Sequence, residues 1–114
     1  MLEMWTNRTT VRFEPAVDLI GFTVEATDGS IGKVDESTAD AGKSHVVVTT
    51  GPWIFGRKVV LPAQTIERID LDSRVVYVDR TKEEIKNAPE FNPERGFDST
   101  YQDELGGYYG QYYR

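Results

Sequence analysis

Between Ile20 and Ala26 the chain alternates, with Phe22, Val24 and Ala26 on one side and Thr23, Glu25 and Thr27 on the other. That is the period of a half-buried β-strand. Asp28-Gly29 is a hairpin turn signal, because glycine tolerates positive φ and aspartate bonds its own backbone. On the far side Ile31 and Val34 are three apart. Strict alternation would point them to opposite faces, so both reach a core only if the strand bulges or bends near Gly32. Ser37–Lys43 reads as a polar loop and Ser44–Thr50 as a β-branched strand, apolar enough to be central. Arg57–Pro62 is a further strand closed by its proline, and Thr65–Asp79 holds two more around a turn near Asp72-Ser73. The pattern predicts a mainly β domain of five to six short strands, as a small antiparallel barrel or sandwich.

The flanks read differently. In residues 1–16, Val11 and Phe13 alternate with Thr10 and Arg12 before Pro15, which fits either a frayed arm or one short strand pairing with a sheet edge. After the strands, Thr81-Lys82-Glu83-Glu84 has the capping-box spacing, and Pro89 ends a helix of about residues 81–88. Residues 96–114 carry few aliphatics, several glycines and five of the six tyrosines. That composition predicts a flexible Tyr/Gly-rich tail with aromatic contact points rather than a core element.

Composition narrows the function classes. The 114 residues are 39% hydrophobic and 28% charged, enough for one domain. Cysteine is absent, which removes disulfides, thiol nucleophiles and thiolate metal sites. No apolar run approaches the roughly 18 residues needed to span a bilayer, and the N-terminus lacks a signal-peptide core; the expected location is cytoplasmic. The net charge of −6 divides evenly, −3 in residues 1–80 and −3 in residues 81–114, with no basic block. Nucleic acid is therefore disfavoured as a partner, since phosphate binding rests on clustered cations.

The turn Asp28-Gly29-x-x-Gly32-x-Val34, the Leu61-Pro62 strand ending and the segment from Thr81 to Pro89 occur in an order and spacing that resembles the PRC-barrel family, over roughly residues 17–95. The family includes the cytoplasmic part of the photosynthetic reaction centre H subunit and the C-terminal domain of a bacterial ribosome maturation factor. The resemblance implies a PRC-type barrel that serves as an adaptor or assembly module, without a catalytic motif. It also implies two more specific roles as alternatives, in RNA processing and ribosome assembly or beside a photosynthetic or electron-transfer complex.

Candidate chemistry is sparse. Asp28, Asp35, Glu36 and Asp40 lack the order of an EF-hand loop, and the glycine-rich turn has a strand behind it where a phosphate cradle needs a helix. The single histidine, His45, has no cysteine to share a zinc ion with, and its place at a strand mouth favours a strand-end surface or packing role over acid–base work. Asp70 and Asp72 are spaced as a carboxylate pair but flank a turn, where aspartate makes local hydrogen bonds. We expect no catalytic residue, metal or cofactor. The segment Gly51–Lys58 stands apart: Trp53, Ile54 and Phe55 are three consecutive large apolar groups between glycines. They either plug an open barrel end or form a docking surface with Arg57 and Lys58 as its polar rim. The expectation is a homodimeric protein-binding module using Trp53, Ile54, Phe55, Arg57 and Lys58, with Tyr108, Tyr109, Tyr112 and Tyr113 of the tail ordering on contact.

Overall fold

The computed structural model describes residues 19–40, 43–50, 58–91, 94 and 98–113. The expected N-terminal arm, with its strand around Val11 and Phe13, lies outside the described residues, as do Trp53, Ile54, Phe55 and Arg57.

Six strands form one sheet: β1 (Thr23–Ala26), β2 (Gly29–Asp40), β3 (Lys43–Thr49), β4 (Lys58–Pro62), β5 (Ile66–Asp70) and β6 (Val75–Val78). Their order across the sheet is β4-β3-β2-β1-β6-β5. The two outermost strands, β4 and β5, are joined by a single 3-10 turn, Ala63–Thr65. So short a link brings the ends of those strands together, and the sheet curls into a barrel to allow it. The Thr65 hydroxyl donates to the Pro62 carbonyl at 2.7 Å, which fixes this corner.

The other corner is in β2. The strand pairs with β1 through its first half and with β3 through its second. Two bulges lie between: one residue, Ile31, is extra against β1, and another, Asp35, is extra against β3. Extra residues bend and twist a strand. The expected irregularity near Gly32 is thus present, and it turns both Ile31 and Val34 into the core, at 1% and 2% exposure. The core is built from Val24, Val46, Val48, Leu61, Ile66 and Val76, all fully buried.

Three expectations need correction. First, the sheet is not wholly antiparallel. β1 and β6 run parallel, Thr23 opposite Val75 and Glu25 opposite Tyr77. β2 already occupies one side of β1, so the chain returning through both corners can enter only on the other side, and it does so in the same direction. Second, the polar stretch Ser37–Lys43 is mostly strand: β2 runs to Asp40 and β3 starts at Lys43. A ladder partner on β3 outweighs the weak strand preference of a polar run. Third, the tail is not flexible throughout. Ser99–Gly110 forms a helix, α2, in addition to the short α1 (Lys82–Lys86), and Tyr101, Leu105 and Tyr109 of α2 belong to the buried core. Those three are four apart and share one helix face, while Asp98 caps the start by accepting the Tyr101 amide at 2.8 Å.

The hairpin tip between β1 and β2 is also tied down. The Asp28 carboxylate accepts the Lys82 amide at 2.9 Å, and the Thr27 amide donates to the Arg80 carbonyl at 3.1 Å. The turn is a corner that seats α1, with its carboxylate spent on a helix N-terminal amide.

Candidate functional site

The bend of β2 leaves a cleft of about 660 Å³. Its floor is Ile31, Gly32 and Val34; Ile20 and Gly21 form one wall, Thr49 and Thr50 another. The first wall exists because the Gly21 amide donates to the Val34 carbonyl at 2.8 Å and the Val34 amide to the Phe22 carbonyl at 2.9 Å. Gly21 takes φ +89 to make that approach. Ile20, in the lining, stands 53% exposed.

Charge is confined to the rim. Lys33 and Asp35 line it, and Asp35 is the bulged residue of the second irregularity. Its carboxylate meets the Lys58 ammonium at 2.7 Å, both side chains being about two-fifths exposed. The ion pair clamps the start of β4 against the bend. The segment Gly51–Arg57 therefore leaves from Thr50, which lines the cleft, and returns to Lys58, which is paired to its rim. Of the docking residues expected from sequence, Lys58 does not line the cleft but is paired to Asp35, which does. Ile20, Gly21, Lys33 and Asp35 were not foreseen as part of this site. The interrupted alternation at Gly21 and at Asp35-Glu36 was the available signal.

The tyrosines are placed elsewhere. Tyr109 is fully buried. The Tyr108 hydroxyl donates to the Glu84 carbonyl at 2.5 Å, in the last turn of α1. The Tyr113 hydroxyl bonds the Asp79 carboxylate. Tyr112 is 36% exposed and lies under the Arg80 guanidinium, 4.7 Å from its ring centre. Arg80 is held in turn by the Glu84 carboxylate at 3.6 Å and sits 5.1 Å from the Tyr113 ring. The tyrosine cluster joins α2 to α1, away from the cleft lining. Burial, and then the neighbouring Tyr112, push the Tyr108 hydroxyl well above the usual phenol range.

His45 is half-buried at the β3–β4 ladder opposite Pro62, and burial lowers its pKa to about 4. Asp70 accepts the amides of Asp72 at 3.1 Å and Ser73 at 3.2 Å, so it organises the β5–β6 turn. The Ser73 hydrogen bonds hold its carboxyl below the usual range. Among the described residues no three or more His, Asp or Glu side chains gather as a metal-binding group, and no helix is long and apolar enough to cross a membrane.

A family model for the PRC-barrel domain matches residues 12–85. The chain belongs to the PRC-barrel family. The matched span holds all six strands and α1 up to Ile85, and α2 follows it. No curated protein matches the chain. Among solved structures it is similar to that of RimM from Pseudomonas aeruginosa, a protein assigned to 16S ribosomal RNA processing. The identity is 23%, over 57% of this chain and 42% of that one, with a TM-score of 0.47. This chain thus spans less than half the length of that protein.

Proposed function

We propose that this PRC-barrel chain is a cytoplasmic, non-enzymatic binding module that associates with a second copy of itself through the cleft at the β2 bend. The observation that carries the reading is the coincidence of two features. An apolar cleft with a half-exposed isoleucine at its wall is bracketed by the stems of the segment bearing Trp53, Ile54 and Phe55. Large aromatic anchors with a charged rim are the composition of protein contacts. A second copy suits this rim, because the lining carries both signs of charge, Lys33 and Asp35, and a two-fold arrangement can set each against the other. Arg57, next to the paired Lys58, extends the rim.

The test is light scattering across a concentration series, with wild type against Trp53→Ala and Ile20→Ser. A dimer in the wild type that both substitutions weaken by tenfold or more, while the urea midpoint moves little, supports the reading. A monomer at all concentrations, or equal losses of association and stability in Trp53→Ala, overturns it; the latter supports a barrel plug. RNA binding at low salt that falls steeply with added salt would favour the RNA-processing role instead, against the −6 net charge.

A further inference from the structure

The helix α2 is weaker than its surroundings require. Gly107 and Gly110 both lie in it, neither has a positive φ, and a Cβ on either would meet nothing within 4 Å. Alanine would fit at each position; in the helix interior, where Gly107 lies, a glycine lowers the formation constant by about fivefold relative to alanine, while Gly110 is the last residue of α2. Tyr109, the last of the three residues on the buried face, carries a hydroxyl with no hydrogen-bond partner among the described residues. A phenylalanine would fill the same volume without that orphan donor. Three positions of one helix thus forgo stability that the packing allows.

What holds α2 comes from outside it. Tyr101 donates to the Pro89 carbonyl at 3.1 Å, Tyr108 to the Glu84 carbonyl, and Tyr113, just beyond the helix, to Asp79. The Tyr101 ring packs on Phe91, with centres 5.7 Å apart. Tyr101, Leu105 and Tyr109 join the same buried cluster as Ile85 and Ala88 beside α1 and Leu61 of β4. None of the six strands needs α2 for its ladder.

We propose that α2 is a releasable cover: it detaches from α1 and β4 as a unit while the six-stranded barrel stays folded, baring the apolar surface around Leu61, Ile85 and Ala88. The inference does not depend on the cleft or on self-association. Elements that move are drawn from the low-stability end of a structure, and hydrogen exchange reads that end directly. The experiment is residue-resolved amide exchange on the full chain, wild type and Gly107→Ala/Gly110→Ala. Expected are α2 amides exchanging at least tenfold faster than those of β3 and β6 in the wild type. The double substitution should slow α2 by about fivefold or more and leave the sheet unchanged. Exchange of α2 at the rate of the sheet overturns the proposal. So does equal slowing of both, or an α2 rate that the substitutions leave unmoved.

Discussion

The α-carbon of Gly32 lies so close to Thr49 that a Cβ there would stand 2.0 Å from the Thr49 carbonyl oxygen and 2.9 Å from the α-carbon of Thr50. Gly32 also takes φ +150, a conformation L side chains rarely adopt. Both constraints come from the bend of β2, where β1 leaves and β3 arrives. Backbone offers no flexible end to move aside. Gly32→Ala is expected to cost at least about 3 kcal/mol, enough to unfold a marginal domain. Gly21 is the comparison: its φ is +89, but a methyl group at its α-carbon would have nothing within 4 Å. Gly21→Ala should cost only the conformational part, about 1 to 2 kcal/mol. Urea unfolding of the two variants separates the contributions, and similar losses would count against a steric role for Gly32.

The capping box at α1 gives a second prediction. The Glu84 amide donates to the Thr81 hydroxyl at 3.1 Å, and the Thr81 amide donates to the Glu84 carboxylate at 2.9 Å. A five-residue helix has almost no stability of its own, so its satisfied end groups matter. Thr81→Ala should lower stability by about 1 kcal/mol. Glu84→Ala should cost somewhat more, because the same carboxylate reaches Arg80. The double variant should lose less than the sum, since either single change already breaks the reciprocal arrangement. Strict additivity in denaturant melts would show that the two bonds act independently.

The bend near Gly32 and the capping box were legible in sequence for the same reason: each is local, whereas the close approach of Gly32 to Thr49 is not. Asp28-Gly29, the three-residue spacing of Ile31 and Val34, and Thr81 with Glu84 declare themselves within a few positions. The parallel pairing of β1 with β6 was not legible, because it joins Thr23 to Val75 and depends on how both corners turn. The helix α2 was hidden by its composition. Gly106, Gly107 and Gly110 argue against a helix, and the tyrosines carry little aliphatic periodicity. Its signal was Asp98 as a cap followed by Tyr101, Leu105 and Tyr109 four apart. The cleft was illegible for a different reason: it is made by the shape of the β2 backbone, and only the Trp53 segment beside it stood out in the residues.

His45 makes stability depend on mild acid. Its folded pKa is lowered to about 4 by burial, against 6.5 for an exposed histidine. Above 6.5 the ring is neutral in both folded and unfolded chains. As the pH falls through 6.5 toward 4, the unfolded chain takes up a proton that the folded one resists, so stability is lost across that window. Allowing for water on one side of the half-buried ring, the loss by pH 5 is about 1 to 2 kcal/mol. His45→Gln should remove this slope between about pH 7 and 5. An unchanged slope in the variant would assign it to carboxylates instead.

The Tyr109 hydroxyl yields a prediction at the opposite end of the pH scale. It is buried without a partner among the described residues, and burial raises its pKa well above 10.0. A buried, unsatisfied donor costs about 1 to 3 kcal/mol, so Tyr109→Phe should stabilise the protein at neutral pH by about 1 kcal/mol. The unfolded chain releases the phenolic proton near pH 10, whereas the folded one holds it. Stability is therefore fully present below about pH 10 and declines as the pH rises beyond it. The phenylalanine variant has no proton to release, so its stability should fall less steeply between about pH 10 and 11.5. Urea midpoints across that range, together with the absorbance titration of the remaining tyrosines, measure both effects. Destabilisation at neutral pH would mean that the hydroxyl donates a bond after all, and α2 would then be more firmly held than its glycines suggest.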